Sequence, residues 1–190
     1  MNRKFAIGDS HRFDNVHFVE SPNCDSRPDD TRITLIVIHA ISLPPGEFGN
    51  HYVQALFTNT LDETTHPTFA DLVNVKVSSH LYLTRKGFLT QFVPFNKRAW
   101  HAGESRYRGR RNCNDYSIGI ELEGTADVPF TDSQYSNLVD VICSLRVKYD
   151  AIPLSGIVGH NEISPGRKWD PGPQFDWRRF MGFMLNKRSS

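Results

Sequence analysis

The chain has 190 residues, 38% of them apolar and 23% charged, with a formal net charge of +1; that is enough apolar matter for one packed domain and rules out a largely disordered chain. The even charge balance also excludes the broad basic face that phosphate contacts need, so nucleic acid is not an expected partner. No apolar run follows Arg3 and Lys4, and no stretch approaches the roughly 20 apolar residues that cross a bilayer, so neither a secretion leader nor a membrane is expected.

Residues 1–30 are polar, rich in turn formers and without sustained periodicity, and are read as an extension packing on a domain of residues 31–185. Ile33–Ile38 is a β-branched run ending at His39, as in a strand buried on both faces. Two prolines make the following Ser42–Gly49 a loop, and Tyr52–Phe57 fits a short helix. His80–Thr84 and Phe88–Val93 flank Lys86-Gly87 as a hairpin would, whereas residues 94–114 form a long polar loop with several arginines. In Tyr116–Leu122, Ile118, Ile120 and Leu122 face one way, and Ser117, Gly119 and Glu121 the other.

Thr131 and Gln134 have the spacing of a capping box, behind which Tyr135, Leu138, Ile142, Leu145 and Tyr149 trace one helical face. Gly156–Gly159 reads as a short strand leading into His160, and Asp176 as the cap of a last helix carrying Trp177, Phe180 and Met184. These elements follow no strict βαβ rhythm, so the expected fold class is mixed α/β: a single domain with a mixed β-sheet flanked by helices. Cys24, Cys113 and Cys143 are odd in number and widely spaced, which suggests buried free thiols in a reducing compartment, the cytoplasm.

His39 and His160 each stand where a strand hands over to a loop, the usual place for active sites in α/β sheets. With Asp170, whose backbone is restricted by Pro171, they offer two imidazoles and a carboxylate, a donor set that suits Zn²⁺ and leaves a fourth position open. In an extended segment Lys168 leaves the chain on the same side as Asp170, within reach of an oxygen at the metal, and Glu121 could accept a proton there. Trp169, between them, should then point away. Any one of the eight histidines is as readily a hydrogen-bonded surface residue, Glu123 shares the face of Glu121, and Lys168 could be merely solvated, so spacing by itself leaves the set open.

The chain resembles the AmpD-type N-acetylmuramoyl-L-alanine amidases, a zinc amidase group related to peptidoglycan recognition proteins. The resemblance runs from about Ser21 to Trp177 and rests on Ile41–Gly49 (ISLPPGEFG), Arg98–Gly103 (RAWHAG), Cys113–Thr125 (CNDYSIGIELEGT), Gly159-His160 and the Arg167–Gly172 segment (RKWDPG). It implies His39, His160 and Asp170 as zinc ligands, Glu121 as general base, Lys168 as oxyanion stabiliser and His101 as a support or substrate-side residue. It further implies a monomer acting on 1,6-anhydro-muropeptides in cytoplasmic peptidoglycan recycling. The alternatives are an amidase of wider range acting on intact cell wall, or a binding module without catalysis, whose mark would be a lost ligand. The chain departs from the family with Ala40 after the first histidine, Asn112 before the Cys-Asn-Asp motif, and Lys76 where an arginine can meet the stem peptide.

Overall fold

The structure is a computed structural model that describes residues 5–187. Its strands are β1 (His17–Phe18), β2 (Cys24–Ser26), β3 (Leu35–Ile41), β4 (Leu81–Leu83), β5 (Leu89–Gln91), β6 (Lys97–Ala99), β7 (Arg106–Tyr107), β8 (Arg110–Arg111), β9 (Ser117–Glu123) and β10 (Ile157–Gly159). The helices are α1 (Tyr52–Phe57), α2 (Asp132–Lys148), α3 (His160–Ile163) and α4 (Trp177–Asn186). Six strands form the central sheet in the order β1-β5-β4-β9-β3-β10, in which only β4 and β5 run antiparallel. This is the mixed sheet with flanking helices that the sequence pattern implies.

Register divides the residues of the two central strands between the faces. Ile36, Ile38 and Ala40 of β3 lie beside Ile118, Ile120 and Leu122 of β9. All six join the main apolar core with Leu138, Ile142 and Leu145 of α2 and Phe180 and Met184 of α4. Side chains alternate across a strand, so Val37, His39 and Ile41 of β3 and Gly119, Glu121 and Glu123 of β9 are left on the opposite face. There the apolar filling is thinner: Val37 packs with Ala102, Cys113, Tyr116 and Val158, and a further cluster gathers α1 against Tyr82 and Phe92.

Two local readings change. β3 does not end at His39 but runs on to Ile41, because β9 pairs with it that far. β10, in contrast, stops at Gly159 opposite Ile38, so His160 leaves the sheet next to His39. The 94–114 segment is not structureless: β6 pairs with β2, and β7 and β8 form a hairpin whose turn, Arg108-Gly109, has positive φ at both residues, as a type I′ turn requires. Before residue 31, β1 joins the central sheet, Phe13 enters the core, and the half-buried Arg27 donates to the carbonyls of Phe95, Asn114, Asp115 and Ser117. No disulfide joins the three cysteines, Cys113 being buried and the others partly so. No helix among the described residues is long and apolar enough to cross a membrane.

Helix α2 opens with the expected capping box: Thr131 Oγ1 accepts from the Gln134 N–H at 3.2 Å, and Gln134 Oε1 accepts from the Thr131 N–H at 3.0 Å. Replacing a threonine N-cap by alanine removes one of these bonds and leaves a helix-end donor unsatisfied. Thr131→Ala should therefore cost about 1 kcal/mol of unfolding free energy in urea titrations. An unchanged midpoint would show that the box contributes nothing.

Candidate metal centre

His39 Nδ1, His160 Nδ1 and Asp170 Oδ2 form a triangle with all three sides 3.0 Å. The side chains are buried, and they are the group of donors among the described residues placed to hold a metal ion. Each arrives by a different route. His39 is fixed within β3. His160 opens α3 directly after β10. Asp170 is drawn in by its carbonyl, which accepts from the Asn161 N–H at 2.9 Å. Gly159 permits that approach, since a Cβ there would stand 2.8 Å from Pro171 Cδ and 2.4 Å from Asn161 Oδ1.

Hydrogen bonds on the outer sides of the rings govern what the inner sides present. His160 Nε2 lies 3.1 Å from the Ala102 carbonyl, which can only accept, so in the neutral ring Nε2 carries the hydrogen and Nδ1 a lone pair. His39 Nε2 lies 2.9 Å from His101 Nδ1, and His101 Nε2 lies 3.1 Å from Ser117 Oγ. When that relay donates outward from His39, its Nδ1 also turns a lone pair to the triangle. Two imidazole lone pairs and a carboxylate oxygen then converge, and such a set is held together by a cation. Around a tetrahedral zinc with bonds of about 2.0–2.1 Å, ligand atoms stand roughly 3.3 Å apart, so the donors fit that ion with a slight opening. His101 reaches its place only because residue 119 is glycine: a Cβ there would lie 2.5 Å from His101 Cγ.

Burial sets the charges. It lowers His39 to about 4, against the partial opposition of the Asp170 hydrogen bond. Burial likewise keeps His101 well below the ordinary histidine value, with neighbouring histidines adding to the effect. For Asp170, burial works upward, but the His160 and His39 rings against its Oδ2 outweigh it and hold the carboxyl below the usual range. Glu121 goes the other way, pushed well up by burial first and then by the charge of Asp170, with Lys168 opposing. Its Oε1 lies 3.9 Å from His39 Nδ1, and its buried Oε2 has no hydrogen-bond partner among the described residues.

Glu123, two residues on, contrasts with this. Its Oε1 accepts from the Gly49 N–H at 2.6 Å and its Oε2 from the Arg85 N–H at 2.8 Å, so both oxygens are committed to holding loops. Lys168 is exposed, and its charge acts on both His39 and Glu121. The chain turns between Ser164 and Lys168, since the N–H groups of Arg167 and Lys168 both donate to the Ser164 carbonyl. Trp169 is 49% exposed, and its ring lies against Gly172, where a Cβ would stand 3.0 Å from Cε3. Lys76 lines a cavity of about 270 Å³ with Leu56, Phe69 and Leu72 and has no hydrogen bond or ion pair to the triad. Ala40 packs into the main core, and Asn112 takes a left-handed turn conformation with φ of 57°. Sequence reasoning missed Ser117 and Ala102, whose contributions are a hydroxyl and a backbone carbonyl that no residue pattern announces.

A family model described as N-acetylmuramoyl-L-alanine amidase matches residues 29–173. The chain is 54% identical over 162 residues to the 1,6-anhydro-N-acetylmuramyl-L-alanine amidase AmpD of Enterobacter cloacae, an alignment covering 85% of this chain and 86% of that protein. The crystal structure of a Se-Met AmpD derivative shares the fold with a TM-score of 0.89 at 50% identity, over 92% of this chain and 97% of that one. The Escherichia coli amidase AmiD, solved with anhydro-N-acetylmuramic acid-L-Ala-D-γ-Glu-L-Lys, gives a TM-score of 0.58 at 30% identity, over 83% of this chain and 60% of that one.

The raised pKa of Glu121 carries a stability consequence with a definite sign. The folded state favours the protonated acid, so this contribution is fully present below the unfolded carboxylate value of about 4.3 and is lost as pH climbs through the folded value. Chelator-treated protein should therefore lose stability as pH rises above the acid range. Glu121→Gln, of like shape but without a charge, should lose less, and the gap in denaturation midpoint should widen with pH. Parallel curves for the two proteins would contradict the assignment of Glu121 as a desolvated carboxylate.

Proposed function

The chain belongs to the N-acetylmuramoyl-L-alanine amidase family, and from that premise we propose that it hydrolyses the amide between 1,6-anhydro-N-acetylmuramic acid and the L-alanine of the stem peptide, with zinc, in cytoplasmic peptidoglycan recycling. The single observation that carries the reading is the buried His39, His160 and Asp170 triangle with the unpartnered Glu121 carboxylate beside it. The names of the similar AmpD proteins and the ligand bound to AmiD support the choice of the anhydro-sugar substrate.

His39, His160 and Asp170 would hold the zinc. When bound, it supplies Lewis acidity toward an amide carbonyl and toward water. Glu121 is the base: its free Oε2 accepts the proton of the water that adds to the lactyl carbonyl carbon. The same carboxyl, now protonated, hands that proton to the departing alanine nitrogen as the C–N bond breaks. A carboxyl whose pKa is raised by burial suits the second half, because it holds the proton it has taken until the leaving nitrogen can accept it. Lys168, exposed at the rim and electrostatically in reach of Glu121, offers an ammonium to the oxyanion that develops on the carbonyl oxygen. His101 holds His39 from behind, in the manner of the outer partners that orient metal-binding imidazoles. The products are 1,6-anhydro-N-acetylmuramic acid and the free peptide.

Purified protein should contain about one zinc per chain by this reading, and chelation should stop release of peptide from anhydro-muropeptide, followed by mass. Undiminished turnover in demonstrably metal-free protein would refute it. A parallel incubation with intact sacculi tests the wider-range alternative, since rapid solubilisation of cell wall would favour that one. Glu121→Gln should keep its zinc and lose about 10²–10⁴-fold in kcat. Glu123→Gln should lose stability before it loses chemistry, and the reverse pattern would exchange the two roles.

A further inference from the structure

Arg167 lies outside the triad and outside the groups assigned to proton and charge transfer, yet its guanidinium ties together the loops that carry both. Its Nη2 stands 2.6 Å from the Ala102 carbonyl oxygen, 2.7 Å from that of Glu104 and 2.8 Å from Ser164 Oγ. An Nη2 group carries two hydrogens, so three acceptors at this range use its whole donor capacity. The guanidinium lies over Gly103, where a Cβ would be 3.4 Å from Nη2.

The Ala102 carbonyl is the same one that accepts from His160 Nε2. A carbonyl oxygen has two lone pairs, and here one faces Arg167 and the other His160. Holding this oxygen in place keeps the hydrogen of His160 on Nε2 and the lone pair of Nδ1 toward His39 and Asp170. Ser164 anchors the other side. Its N–H donates to the His160 carbonyl, its own carbonyl accepts from the N–H groups of Arg167 and Lys168, and its hydroxyl donates to the Glu104 carbonyl. A closed circuit results, from His160 through Ala102, Arg167 and Ser164 back to His160, with Lys168 hung on the same serine.

We propose that Arg167 is a positioning residue for metal capture, which fixes the Ala102 carbonyl so that His160 presents Nδ1 and at the same time sets the turn that carries Lys168. The proposal rests on the zinc-amidase reading for the identity of the metal and for the reaction. Lysine is an imperfect substitute by this account, because its ammonium ends one bond short of the Nη2 position that all three acceptors face.

The test uses the full-length chain and its Arg167→Ala and Arg167→Lys variants. Zinc affinity is measured by competition with a chromophoric chelator, and the His160 Nε2–H is followed by imidazole ¹⁵N NMR. Thermal unfolding without metal and kcat and KM on anhydro-muropeptide complete the set. Arg167→Ala should weaken zinc binding about 10–100-fold, the usual effect of removing an outer partner of a metal-binding histidine. It should also speed solvent exchange of the His160 Nε2–H and lower kcat with KM nearly unchanged, while Arg167→Lys falls between it and the parent protein. A folded Arg167→Ala protein with parental zinc affinity and an unaltered His160 signal overturns the proposal. If the alanine variant does not fold, parental zinc affinity in Arg167→Lys overturns it equally. A parent protein that binds zinc but leaves muropeptide uncut would refute the amidase reading instead, and the zinc titrations would still decide the role of Arg167.

Discussion

Three electron-pair donors, His39 Nδ1, His160 Nδ1 and Asp170 Oδ2, meet at 3.0 Å on buried side chains, and the outer hydrogen-bond partners of both rings can turn their lone pairs inward. Donors do not assemble this way unless surrounding structure forces them together, because burying polar groups that face each other costs free energy until a cation joins them. Much of the local architecture can be traced to that requirement. β10 is one residue too short to cover His39, which is why His160 can turn toward it. Gly159 lets Pro171 approach, which brings Asp170 to the same point. The sheet supplies the rigid base, with β3 and β9 paired over seven residues, so that His39 and Glu121 lie side by side in register.

The two glutamates of β9 show how environment gives one residue type two different fates. Glu121 and Glu123 share a face, but Glu123 has a backbone N–H for each oxygen, whereas Glu121 Oε2 has no partner among the described residues. A carboxylate with satisfied oxygens is a strut. A desolvated one with a free oxygen binds a proton more firmly, and the charge of Asp170 nearby pushes it further in that direction. The same neighbourhood drives Asp170 down, so the two acids of the site separate into one that stays ionised and one that can carry a proton.

Strand alternation in 117–122, the α2 capping box and the short apolar run before His160 are short-range patterns, and each appears in the structure where local sequence put it. The bounds of β3 were harder to read, because its end depends on how far β9 accompanies it, and partners distant in sequence leave no local mark. The small strands β6 to β8 escaped notice for a related reason: arginine-rich pairs of residues lack apolar alternation and gain their order from turn geometry and from β2. The histidines, Asp170 and Glu121 stood out by position, but only the family resemblance singled out His39 and His160 among eight histidines. Ala102, Ser117 and Ser164 contribute backbone or hydroxyl groups that become visible only with coordinates.

The contact between Gly119 and His101 also bears on the history of this site. No side chain can be accommodated at 119 while an imidazole occupies the space above it, since even a methyl group would overlap the ring. A lineage leaving this arrangement would have to shrink residue 101 first and enlarge residue 119 afterwards, because the opposite order passes through an intermediate with a displaced ring. Relatives that bear a bulkier residue at the equivalent of 119 should therefore lack a histidine at the equivalent of 101, and must orient the first imidazole by some other group. The two positions are 18 residues apart in the chain, but they are free to vary only as a pair.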